Sequence, residues 1–151
     1  MNHPNDAVLE TSVEEMQRLF LINVCGVLSV TQQFYPLLVR AAQQKEAAVV
    51  NMSSYLGSIE LNETGGTTAY RVSKSALNSL TKNLALRAKE DGIVVVALHP
   101  GWLATDMGCS GNRSPPMTVQ DGVSQMLNTL KAISMEHTGM FLQYDGARLP
   151  W

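Results

Sequence analysis

The chain has 151 residues, the size of one ordinary domain. Hydrophobic residues make up 45% and charged residues 16%, enough apolar side chains for a packed core and too few charges for wholesale disorder. Eleven basic against thirteen acidic residues give a net charge of −2, which argues against a broad nucleic-acid surface.

Residues 1–10 read as a frayed start, polar with a proline, and not as a signal peptide. Thr11 and Ser12 each have a glutamate three residues on, Glu14 and Glu15, a doubled capping-box pattern that predicts a helix from Val13 to about Gln43. The stretch Leu19–Val30 is apolar on nearly every face, so the middle of this helix is expected to be buried, with Cys25 inert inside it. Asn23 and Ser29 interrupt that stretch, so it is expected to fall short of a membrane span. Ala47–Met52 reads as a buried strand ending in Ser53-Ser54, followed by a loop with Gly57, Gly65 and Gly66.

Tyr70 to about Glu90 reads as a helix capped by Gly92. Ile93–His99 is β-branched and unalternating, as expected of a parallel strand covered on both faces, and Pro100-Gly101 stops it. Residues 102–117 read as a long loop. Thr118 and Asp121 can cap a helix with Val119, Val123, Met126, Leu127, Leu130 and Ile133 at helical spacing. Gly139–Tyr144 is the last predicted strand, closed by Asp145-Gly146. The order α-β-α-β-α-β implies an α/β fold with a parallel sheet and crossover helices. Cys25 and Cys109 have no pairing pattern and are too few for a zinc cage, so no metal is expected. His99 reads as a packing residue at a strand end, and His3 and His137 as exposed.

Tyr70 and Lys74 stand one helical turn apart, on one face. A free phenol has a pKa near ~10, and a nearby ammonium favours the phenolate, so the pair is a plausible device for moving a proton to or from an alcohol oxygen. Four tyrosines and five lysines give this spacing by chance in roughly one such chain in eight, so the spacing alone is weak. Ser54 lies at the carboxyl end of a predicted parallel strand, where open α/β sheets bind ligands, and the next strand ends in HPGWLATDM (99–107).

With these pieces in place the sequence resembles the short-chain dehydrogenase/reductase family. The matching segments are Asn23-Val24-Cys25-Gly26, Val50-Asn51-Met52-Ser53-Ser54, Tyr70-Arg71-Val72-Ser73-Lys74-Ser75-Ala76 and Pro100-Gly101-Trp102-Leu103-Ala104-Thr105, in the family's order. NMSSYLGS, AYRVSKSALN, LHPGWLATDMG and the ending YDGARLPW look most like the sniffer-type carbonyl reductases and their C-factor-like relatives.

The resemblance implies NAD(P)-dependent carbonyl reduction or alcohol oxidation, with NADP favoured over NAD. It implies Tyr70 as acid or base, and Lys74 lowering the Tyr70 pKa and holding the nicotinamide ribose. It implies Ser54, in preference to Ser53, on the substrate oxygen, and Asn23 positioning a water that connects Lys74 to solvent. It places Pro100, Gly101, Leu103 and Thr105 around the nicotinamide carboxamide and residues 106–117 over the substrate. A small-molecule carbonyl or alcohol substrate, a cytoplasmic location without nucleic acid or membrane, and a homodimer through helices 13–43 and 70–90 also follow from it.

The family's glycine-rich pyrophosphate turn has no counterpart among the eleven glycines. The expected architecture is therefore the C-terminal part of a doubly wound, Rossmann-like parallel sheet, a single shortened domain over 1–151 with the N-terminal nucleotide-binding half missing. The alternative expectation is a catalytically silent fragment or isoform that acts through protein association.

Overall fold

The computed structural model describes residues 8–151. Val8–Glu10 is a single 3-10 turn, and His3 lies outside the described residues. Ser12 caps the first helix, accepting from the Glu15 amide while its own hydroxyl donates to the Glu14 carboxylate. Helix α1 (Val13–Phe20), a π-helical stretch Leu21–Gly26 and helix α2 (Val27–Ala42) run on as one rod of 30 residues. Beyond it come β1 (Ala47–Met52), α3 (Thr68–Ala88), β2 (Ile93–His99), α4 (Asp106–Cys109), α5 (Val119–Ala132), β3 (Phe141–Gln143) and β4 (Arg148–Leu149).

The four strands form one sheet in the order β1-β2-β3-β4. β1–β2 and β2–β3 are parallel, as the crossover helices require, whereas β4 returns antiparallel through the turn at Gly146. The sheet is thus mixed at one edge. Two-residue β4 carries no periodicity that a sequence reading could detect. Strand β2 is buried from Ile93 to Leu98, and it separates two apolar layers. Ala47, Val95, Ala85 and Ala88 pack with Tyr35, Leu38 and Val39 on one face. Val94, Val96, Leu98 and Leu142 pack with Met126, Leu130 and Ile133 of α5 on the other. The boundaries of α3 and α5 agree with their capping signals. Gly92 sits at φ +71 after α3, and Thr118 accepts from the Asp121 amide.

The rod departs from expectation. Only Val24 and Thr31 are buried along it, while Leu21 and Phe34 are 65% and 57% exposed. Its Tyr35–Leu38–Val39 side meets the sheet layer, but no described element covers the opposite apolar side. Cys25 is likewise exposed, not enclosed. In length, by contrast, the rod agrees with the helix expected from Val13 to about Gln43. With an 18-residue window of mean hydropathy 1.3, it is long and apolar enough to cross a membrane. Asn23 and Ser29 do not break it: Asn23 is bonded to Ser73, and Ser29 is exposed to solvent. Residues 102–117 are less irregular than predicted, since they hold α4 and a parallel bridge between Leu103 and Met117.

Candidate active site

Two strand ends and one helix build the site. β1 and β2 stop side by side, with the Ser53 amide donating to the Leu98 carbonyl at 2.8 Å. Their following loops therefore open at the same carboxyl edge of the sheet. Ser53 is buried and hydrogen-bonded to Asn78 of α3. Ser54 instead starts the 3-10 turn Tyr55–Gly57, where its oxygen accepts from the Leu56 amide at 3.2 Å. Of the two serines, Ser54 is the one whose side chain acts on the Tyr70 phenol.

Helix α3 delivers Tyr70 and Lys74 one turn apart, as their spacing predicts. Lys74 is buried, and its Nζ donates to the Met52 carbonyl at 2.8 Å, at the end of β1. The same Nζ lies 5.7 Å from the centre of the Tyr70 ring. Burial holds the Tyr70 phenol above its ordinary value, with the Ser54 hydrogen bond pulling the other way. Burial also pushes the Lys74 ammonium below its ordinary value. Burial is the larger of the two influences on the phenol. Tyr70 stands at neutral pH as a phenol with its proton in place.

Asn23 sits in the π-helical stretch, a kind of irregularity that often marks functional positions. Its Nδ2 donates to Ser73 Oγ at 3.0 Å, and Ser73 Oγ donates to the Tyr70 carbonyl at 2.8 Å. The rod is thereby tied to the turn of α3 that carries Tyr70. Pro100, Gly101, Leu103 and Thr105 follow β2 on the neighbouring loop. Gly101 is held at φ +88, and a Cβ there would lie 2.8 Å from the Tyr144 ring. Thr105 caps α4 by accepting from the Gly108 amide at 3.1 Å, and its own amide donates to the Leu103 carbonyl at 2.8 Å. The rings of Tyr55 and His99, 6.1 Å apart, join this loop to the Ser54 turn.

Several supports were not legible in the sequence. Gly57 lets the Ser54 turn press on α3, because a Cβ there would stand 2.9 Å from the Lys74 Cβ. The Gly57 carbonyl then accepts from Ser75 at 2.9 Å and from Asn78 at 3.1 Å. Trp151 stacks on Phe141, and its carbonyl accepts from Ser58 Oγ and from the Ile59 and Glu60 amides. Arg71 reaches back to the Gly65 and Gly66 carbonyls and fixes the approach to α3. A glycine after Ser54 was the one visible sign of this packing.

The donors present fit the nicotinamide–ribose end of a dinucleotide. Lys74 has two N–H groups beyond the one given to Met52, and the Tyr70 ring lies beside it. Among the described residues, no strand leads through a glycine-rich turn into a helix N-terminus, so no comparable cradle for the pyrophosphate is present there.

The sequence profile of the short chain dehydrogenase family matches residues 2–115. C-signal of Myxococcus xanthus is 37% identical over 145 residues, covering 96% of this chain and 84% of that protein. The carbonyl reductase Sniffer of D. melanogaster superposes over 100% of this chain and 63% of its own, with a TM-score of 0.92 and 35% identity. An NADPH-bound carbonyl reductase from chicken fatty liver does so over 100% and 62%, with a TM-score of 0.89 and 35% identity. The chain thus spans somewhat over three fifths of the length of these solved relatives, which share its mixed, Rossmann-like α/β architecture. By its profile, its relatives and its fold, the chain belongs to the short-chain dehydrogenase family.

Proposed function

We propose that the chain carries the proton-transfer and nicotinamide-facing part of an NAD(P)-dependent oxidoreductase that reduces a small carbonyl compound or oxidises the matching alcohol. The observation that carries this reading is Tyr70 with buried Lys74 one turn on, the Lys74 Nζ bonded to the Met52 carbonyl two residues before Ser54. When bound, a nicotinamide cofactor supplies or accepts the hydride at the substrate carbon.

Tyr70 gives its proton to the carbonyl oxygen, and its elevated phenol keeps that proton available at neutral pH. Ser54 donates to the same oxygen and steadies the charge that develops on it. Lys74 holds the ribose hydroxyls and, once its ammonium is engaged there, favours the phenolate left behind. Asn23 acts through Ser73 to hold this turn of α3 and positions a water that connects Lys74 to solvent. Thr105, the backbone at Leu103, and the Pro100-Gly101 bend hold the carboxamide, while residues 106–117 cover the substrate. NADP is the favoured cofactor, as in the chicken enzyme, which was solved with NADPH bound.

The reading extends to a single domain over 1–151, to a cytoplasmic setting, and to a homodimer through helices 13–43 and 70–90. The exposed Phe20, Leu21 and Val72 of those helices support the homodimer.

The exposed apolar side of the rod favours a second reading, a chain that acts through protein association without turnover. Nicotinamide mononucleotide separates the two. On the first reading it shifts the Tyr70 and Lys74 NMR signals saturably, and Lys74→Met removes the effect. NADPH binds the 151-residue chain with a Kd in the millimolar range or weaker, since losing two or three charge-assisted pyrophosphate bonds costs about 1.5–3 kcal/mol each. Absence of saturable binding to the wild type favours the association reading.

A further inference from the structure

His99 is a titratable group at a strand end to which the proposed chemistry assigns no task. It closes β2, paired with Gln143 of β3. Side chains alternate along a strand, so His99 lies on the same face of the sheet as Val95 and Ala97, the face on which Val95 packs with Ala85 and Ala88 of α3. That is the side of Tyr70 and Lys74. The ring of Tyr55, the residue after Ser54, lies 6.1 Å away and tilted by 54°.

The ring nitrogens of His99 differ. Nδ1 is enclosed and has no hydrogen-bond partner, whereas Nε2 is not enclosed. Burying a lone pair without a partner is cheaper than burying an N–H without one, so the proton belongs on Nε2. Burial pushes the His99 pKa down to about 4, which keeps the ring neutral at physiological pH. The result is a single uncharged N–H donor, held by Tyr55 between the Ser54 turn and the Pro100-Gly101 bend.

We propose that His99 is a substrate-positioning residue whose Nε2–H donates to a second oxygen of the substrate, selecting carbonyl compounds with another acceptor oxygen beside the reacting carbonyl. The inference rests on the carbonyl-reduction reading, and its test uses binding, so that loss of turnover does not decide it.

The matched probes are 1-phenylpropane-1,2-dione and propiophenone, which differ by one oxygen. Their affinities for the full chain are measured by NMR titration. Wild type binds the dione about three- to tenfold more tightly, the range of one net neutral hydrogen bond. His99→Ala brings the ratio within about twofold, and His99→Gln, which keeps an N–H donor, restores it. Imidazole nitrogen shifts of wild type report the tautomer without any substitution and show the proton on Nε2. Equal affinities in wild type, a preference that survives His99→Ala, or a proton on Nδ1 overturns the proposal. A dione preference together with turnover that ignores Tyr70 sinks the reduction reading and leaves the binding role standing.

Discussion

Residues 93–98 and residues 19–30 are the two most apolar stretches of the chain, and they end in opposite surroundings. Every residue from Ile93 to Leu98 is buried, because β2 has a strand on each side and a helical layer on each face. Along Leu19–Val30 only Val24 is buried, and Phe20, Leu21, Ile22, Leu28 and Val30 are exposed. Apolar composition says that a segment can be buried, but only a neighbour on each side makes it so. The proposed catalytic side chains follow the same division. Ser54, Tyr70 and Lys74 hang on the enclosed β1–β2–α3 unit, and Asn23 reaches them from the open rod through a single hydrogen bond to Ser73.

Equal substitutions in the two regions give the sharpest contrast. Phe141 is fully buried under Trp151, so Phe141→Ala is expected to cost about 3–5 kcal/mol. Phe34→Ala on the rod is expected to stay within about 0.5 kcal/mol. Urea unfolding of both variants checks this, and equal losses would mean that the rod is covered in solution.

Gly57→Ala is next in size. Its Cβ meets the Lys74 Cβ and backbone at 2.9–3.1 Å, and none of these atoms is a flexible tip. The turn must shift, at a cost of about 1–3 kcal/mol. The same shift should weaken nicotinamide mononucleotide binding by displacing Lys74, which NMR titration reads directly.

Thr81→Val tests a buried polar pair in the enclosed region. Asn51 Nδ2 donates to Thr81 Oγ1 at 2.9 Å, and both residues are buried. Leaving that amide without a partner is expected to cost about 1–3 kcal/mol. Asn23→Ala, whose partner Ser73 retains its bond to the Tyr70 carbonyl, should cost less on the more open rod. Thermal unfolding of the two variants ranks them.

A further expected effect is set by pH. His99 titrates near 4 in the folded chain and near its ordinary 6.5 when unfolded. Between those values the unfolded chain binds the extra proton, so stability falls as pH drops from 6.5 towards 4 and is unaffected by this group above 6.5. The slope has an upper limit of about 1.4 kcal/mol per pH unit. His99→Gln should flatten it in urea titrations across that window.

Much of this arrangement is legible in the sequence because its signals are local. Ile93–His99 announces a covered parallel strand by its β-branched run, Thr118 and Ser12 announce helix starts, and Tyr70 and Lys74 share a face by spacing alone. What escaped depends on partners distant in sequence. Burial of the rod could not be read from Leu19–Val30, since it depends on elements absent from that segment. The upward shift of the Tyr70 phenol could not be read from its spacing to Lys74, because it comes from burial in the assembled site. The clamp of Trp151 on residues 58–60 joins positions more than ninety residues apart. The engagement of Ser53 with Asn78, 25 residues away, was likewise beyond a local reading.

Turnover of a completed enzyme tests the proposed role of Tyr70 most directly. In a chimera, the part of Drosophila Sniffer that this chain does not span is joined to residues 1–151, and NADPH-dependent carbonyl reduction is measured with and without Tyr70→Phe. Removing only the proton-transfer hydroxyl is expected to lower kcat by about 10²–10⁴ while leaving NADPH affinity within about threefold. A Tyr70→Phe chimera that turns over within about tenfold of its parent would contradict Tyr70 as the proton donor.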